Sequence, residues 1–151
     1  MTKLSIDRPR RAEREWPHTT NQPPSILCID DDPEISRLVE LRLREYEVRV
    51  LRSFHGMQGF WLAVTEKPDL IITDLNMPQG DGEYVLECLQ RNSNTQGVPV
   101  IVVTGMRGPA VRQRVLELGV AGFLTKPMPM NRLLEQIFRQ VKLKLRSPEP
   151  A

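Results

Sequence analysis

One doubly wound α/β domain, five parallel strands alternating with five helices, is the fold class this sequence predicts, and three observations carry it. From residue 25 onward, short apolar runs alternate with segments of helical spacing. Three of the runs, ILCI (26–29), LIIT (70–73) and VPVIVVT (98–104), are apolar without alternation, as expected when helices cover both faces of a parallel sheet. A chain of 151 residues is enough for one compact core and not comfortably for two.

The elements follow in order. After the first strand, Asp32 stands where an N-cap belongs and Pro33 in the first helical turn; Ile35, Leu38, Val39 and Leu43 then give the first helix its apolar stripe. EVRVL (47–51) reads as a second, more peripheral strand, and Met57, Phe60, Trp61 and Val64 as the buried side of the second helix. The third strand is LIIT, and Val85, Leu86 and Leu89 face the core from the third helix. VPVIVVT is the fourth strand, Pro109 opens the fourth helix, and AGFLT (121–125) is a peripheral fifth strand. The last helix is expected from about Asn131 into the Lys142–Arg146 region, burying Leu133, Leu134, Ile137, Phe138 and Val141. Right-handed crossovers join these units into one domain over 25–146, between a flexible, basic, proline-containing extension (1–24) and a loose tail (147–151).

Composition narrows the function classes. The formal net charge is +2, from 21 Lys and Arg against 19 Asp and Glu, and the excess lies partly in the extension, where Lys3, Arg8, Arg10, Arg11 and Arg14 outnumber Asp7, Glu13 and Glu15. That arm carries acids and prolines and has no aromatic interleaving beyond Trp16, so it reads as a solvated tail and no direct nucleic-acid binding is expected. No apolar run is long enough to cross a membrane and the first residues lack a secretory stretch, so a cytoplasmic location is expected. Cys28 and Cys88 lack metal-ligand spacing and read as reduced core thiols.

In a doubly wound fold the ligand site lies outside the carboxyl ends of the strands. Strand one ends in Asp30 and Asp31, strand three in Asp74, strand four in Thr104 and Gly105, and strand five in Lys126 and Pro127. Taken singly, these are polar strand ends and caps. Together, three carboxylates need a positive partner among them, and a hard divalent cation such as Mg²⁺ suits oxygen ligands. A lysine and a hydroxyl opposite suit the oxygens of a phosphoryl group.

The stretches ILCIDDDPEI, LIITDLNMPQGDGEYVL, VPVIVVTG and LGVAGFLTKPM, in this order and spacing, resemble the receiver domains of two-component response regulators over residues from about 25 to 145. The resemblance implies a flavodoxin-like strand order 2-1-3-4-5 and Asp74 as phosphoacceptor. It implies Mg²⁺ held by Asp30, Asp31, Asp74 and the backbone carbonyl of Asn76, and phosphoryl oxygens bound by Thr104 and Lys126. Asp74 then takes its phosphoryl group from a phosphohistidine on a sensor histidine kinase or a histidine phosphotransfer protein, so the chain is a phosphoacceptor rather than an enzyme. A switch through Thr104 and Phe123, a downstream protein reading the face of helix four, strand five and helix five, a monomer or weak dimer, and a cis Lys126-Pro127 bond are implied as well. Gly80 and Gly82 are expected to permit the turn into helix three. Phe123 stands where tyrosine is frequent in the family, and Met128 where phenylalanine is common.

Rival readings fare less well. A calcium loop starting at Asp30 needs glycine where Ile35 stands and an acid where Leu41 stands. A haloacid-dehalogenase-like motif needs a small Thr or Val where Pro33 and Glu34 stand. The alternative that stays open is a non-phosphorylated pseudoreceiver acting as a protein-interaction module, although such modules usually lose an acid or the lysine.

Overall fold

The computed structural model describes residues 22–77 and 82–148. Residues 1–21 of the N-terminal arm, Trp16 among them, the turn residue Gly80 and the last three residues of the tail lie outside them. The elements run β1 (Ser25–Ile29), α1 (Pro33–Arg42), β2 (Arg49–Ser53), α2 (Gly56–Glu66), β3 (Leu70–Thr73), α3 (Gly82–Arg91), β4 (Val100–Thr104), α4 (Pro109–Glu117), β5 (Gly122–Thr125) and α5 (Met130–Gln140). The five strands form one sheet in the order β2-β1-β3-β4-β5, all neighbours parallel. This is the order that the resemblance implied.

Alternation along β1 shows how the layers form, because successive side chains of a strand point to opposite faces. Leu27 and Ile29 join Phe60 and Ala63 of α2, Val85, Leu86 and Leu89 of α3, and Val115 of α4. Ile26 and Cys28 join Val39 of α1 with Leu133 and Ile137 of α5. Central strands β1, β3 and β4 are buried along their whole length, whereas β2 and β5 are only partly buried, matching their edge positions. Among the described residues no helix is long and apolar enough to cross a membrane.

Four sequence expectations are corrected. β2 runs two residues later than EVRVL, because the Glu47 amide is already used, donating to the Lys144 carbonyl at 2.7 Å. β4 starts at Val100 rather than Val98: the Val98 amide turns back onto Thr95 at 2.9 Å, and Pro99 has no N–H to give to a ladder. The helix α5 ends at Gln140 instead of reaching Arg146. Buried Val141 takes extended backbone (φ −134, ψ 132), and the alternating KLKLR that follows lies antiparallel to the chain after α1. There Tyr46 bridges Leu145, and the Arg146 amide donates to the Glu45 carbonyl at 2.7 Å.

The fourth correction concerns which side chains are core. Trp61 is 59% exposed and Met57 37%, because α2 turns its small residues Gly59 and Ala63 to the sheet together with Phe60. Gly59 lies so close to β1 that a Cβ there would come within 2.6 Å of the Ile29 side chain. Phe138, expected inside, is exposed and tilts against Tyr46 with ring centroids 5.4 Å apart.

Candidate functional site at the carboxyl edge of the sheet

Main-chain bonds continue the sheet one residue beyond its strands, and this places the polar groups. The Asp30 amide donates to the Ser53 carbonyl at 3.0 Å, the Asp74 amide to the Ile29 carbonyl at 3.0 Å, and the Lys126 amide to the Thr104 carbonyl at 2.8 Å. Each side chain therefore starts from the same edge. Asp30, Asp74 and Thr104 are buried, while Asp31 is exposed.

Three of these side chains, Asp30, Asp74 and Lys126, meet directly at this edge. Lys126 Nζ stands 2.8 Å from Asp30 Oδ2 and 3.2 Å from Asp74 Oδ2, bridging two carboxylates. The other oxygens are held by backbone: the Asp32 amide donates to Asp30 Oδ1 at 3.0 Å and the Asn76 amide to Asp74 Oδ1 at 3.1 Å. Asp32 itself caps α1, accepting from the Glu34 amide at 3.0 Å. Thr104 Oγ1 accepts from the Met106 amide at 3.2 Å. The Lys126-Pro127 bond is cis.

Charge is not balanced within this group. Asp30, Asp31 and Asp74 each bring a carboxylate oxygen within 4.8 Å of the others, and Lys126 is the ammonium bonded among them. Burial raises the Asp30 pKa, and its bonds to Lys126 and the Asp32 amide offset this only in part. Burial alone would lower Lys126, but the hydrogen bond to Asp30 and the charges of Asp30 and Asp74 outweigh it, so its pKa is raised. Both partners thus shift upward, although an ion pair ordinarily pulls them apart: crowding and burial of negative charge govern the site. An all-oxygen donor set, two members buried and one at the solvent side, fits a hard divalent cation that keeps some of its waters.

Other contacts at the rim carried no signal in the sequence. Arg107 Nη2 donates to the Lys126 carbonyl at 3.3 Å, and the Arg112 guanidinium lies 5.9 Å from the centre of the Phe123 ring. A surface arginine on a short amphipathic helix looks like ordinary solvation until its neighbour is known.

Fold and site together define a doubly wound α/β protein with three clustered carboxylates, two of them bridged by a lysine, at the carboxyl edge of its sheet. Residues 26–138 match the response regulator receiver domain, and the chain belongs to that family of two-component signalling proteins. It is similar to the DNA-binding dual master transcriptional regulator RpaA of Synechocystis, 34% identical over 85% of this chain and 53% of that protein. It is also similar to the sensor histidine kinase GacS of Pseudomonas protegens, 29% identical over 94% of this chain and 16% of the kinase. The chain thus spans about half or less of these relatives. Among solved structures, chemotaxis response regulator CheY4 of Vibrio cholerae aligns with a TM-score of 0.71 and 25% identity, covering 80% of this chain and 100% of that one. The Mn²⁺-bound form of response regulator Rcp1 aligns at 0.66 with 26% identity, covering 83% and 100%.

Proposed function

We propose that this chain is a phosphoacceptor receiver in which Asp74 accepts the phosphoryl group. The observation that carries the reading is the bridge of Lys126 Nζ between Asp30 and Asp74, at 2.8 and 3.2 Å, beside a third carboxylate. An Asp74 oxygen attacks the phosphorus of a phosphohistidine on a sensor histidine kinase or histidine phosphotransfer protein; the P–O bond forms as the P–N bond breaks, and the imidazole leaves with the electron pair. Lys126 follows the transferred phosphoryl group as a point charge, and the Thr104 hydroxyl donates to another of its oxygens.

Asp30, Asp31, Asp74 and the Asn76 carbonyl would hold Mg²⁺, which supplies charge neutralisation for the transferring group. The triad of oxygens and the Mn²⁺-bound state of the neighbour Rcp1 support this choice of cation. The protein is then a phosphoacceptor that assists its own phosphorylation and dephosphorylation rather than an enzyme acting on others. Residues 25–146 form the receiver unit, cytoplasmic and a monomer or weak dimer. Thr104 and Phe123 form its switch, and the α4-β5-α5 face presents the result to a downstream protein, without direct contact to nucleic acid.

The deciding measurement is intact mass after incubation with Mg²⁺ and acetyl phosphate, with an Asp74→Asn control. A gain of one phosphoryl group in the parent alone, abolished by EDTA, is the expected result. Absence of the gain, joined with no response to beryllofluoride and Mg²⁺, replaces this reading by the pseudoreceiver one.

A further inference from the structure

β2 places an arginine on an inner face of the sheet. Val50 packs in the layer of α1 and α5, and by strand alternation Arg52 points to that layer too. Its side chain is 31% exposed, and a half-buried guanidinium costs free energy unless its N–H groups are bonded. Arg52 Nε donates to Ser36 Oγ at 2.9 Å, Nη1 lies 4.0 Å from Glu40 Oε2, and the guanidinium lies 5.7 Å from the centre of the Phe54 ring. Ser36 is buried near the start of α1, and its hydroxyl donates in turn to the Pro33 carbonyl at 3.1 Å. One residue beyond Arg52, the Ser53 carbonyl accepts from the Asp30 amide at 3.0 Å. The last two residues of β2 therefore hold the segment 30–36 at both ends, and this segment carries the carboxylates of Asp30 and Asp31. Inside it, the Asp32 amide donates to Asp30 Oδ1 and the Glu34 amide to Asp32 Oδ1, both at 3.0 Å.

We propose that Arg52 and Ser36 are positioning residues for the cation site: they hold the start of α1 against β2, so that Asp30 and Asp31 keep their oxygens within reach of one divalent ion. This rests on the Mg²⁺ reading above. Neither residue is a ligand, since Arg52 is itself a cation and the Ser36 hydroxyl is engaged by Arg52 and Pro33. The oxygens around a hard cation must meet close to its preferred distances, and the groups that orient them set affinity from one bond further out. The sign of the effect separates this role from plain electrostatics. A guanidinium repels a nearby divalent cation, so by charge alone its removal tightens binding, whereas by position its removal weakens binding. Ser36 is neutral, and charge alone gives no effect for the loss of its hydroxyl.

The test titrates the full chain with Mg²⁺, following the Asp31 and Asn76 amide resonances in the parent, S36A and R52M, the last of which keeps an apolar stem but has no N–H to give. Both variants are expected to reach half-saturation at about three- to ten-fold higher Mg²⁺ than the parent, less than the roughly 10- to 100-fold typical of groups bonded directly to a metal ligand. Thermal melts in EDTA accompany the titration. A lowered melting temperature with an unmoved Mg²⁺ midpoint in either variant marks a merely structural pair and overturns the proposal, and so does a lower midpoint in R52M. A parent that shows no response to Mg²⁺ refutes the cation reading instead. Positioning of the 30–36 segment is then decided on the metal-free chains by water-exchange NMR: faster exchange of the Asp32 and Glu34 amides in both variants supports it, and an unchanged rate in either overturns it.

Discussion

At the scale of single residues the site is organised around an unfavourable charge. Asp30 is buried against Asp74 and Asp31, and its pKa is raised above the ordinary 3.8 despite the Lys126 bond. A carboxyl with a raised folded pKa binds more protons folded than unfolded, so stability falls as pH climbs from 3.8 through the folded value, and the penalty remains at neutral pH. Asp30→Asn is therefore expected to melt about 2–4 °C higher than the parent at pH 7 in EDTA, and to lose the rise that Mg²⁺ gives the parent. Thermal melts with and without Mg²⁺ check this, and a lower melting temperature in EDTA contradicts it. The carboxylates, Thr104 and Lys126 were legible in the sequence because each closes or directly follows an apolar run. Arg107 was not, since its partner is a carbonyl 19 residues away.

At the scale of elements, close approach and exposed charge set how helices meet their neighbours. α3 begins at Gly82, whose amide donates to the Leu75 carbonyl at 3.2 Å, and a Cβ there would overlap the Leu75 Cα and carbonyl oxygen. Backbone cannot yield as a side-chain tip can, so Gly82→Ala should cost about 1–3 kcal/mol, read from the denaturation midpoint at unchanged slope. Between α3 and α4, the Arg114 hydrogen bond holds the Glu83 carboxyl below its ordinary 4.5. A depressed carboxyl contributes stability that is complete above 4.5 and is lost as pH falls through the lowered value. The stability difference between the parent and E83Q should accordingly be flat above about pH 5 and shrink at lower pH. A difference that grows on acidification would contradict the bridge. Helix existence was legible from spacing, but helix rotation was not. Met57 and Trp61 fit the α2 stripe by period, yet Gly59 lets the helix approach β1 on its small-residue side and turns both outward.

For the whole molecule, the sheet is the insulating centre. Cys28 lies in β1 with helices over both faces, and burial pushes its thiol up to about 12. Its alkylation should track global unfolding, at the rate of the slowest-exchanging β1 and β3 amides, while partly buried Cys88 on the outer layer reacts earlier. Labelling by iodoacetamide with mass readout separates the two; equal rates would mean a sheet that opens locally. The sequence by itself determined the alternating architecture, the doubly wound class and the residues at the carboxyl edge. Those follow from local pattern, because apolar runs and strand ends are written in consecutive residues. Only the tertiary structure decided where α5 stops, which face of α2 is buried, and what the arginines around α4 touch. Such features depend on contacts between segments distant in the chain, as Leu145 on Tyr46 and Arg114 on Glu83 show, and no local period encodes a distant partner.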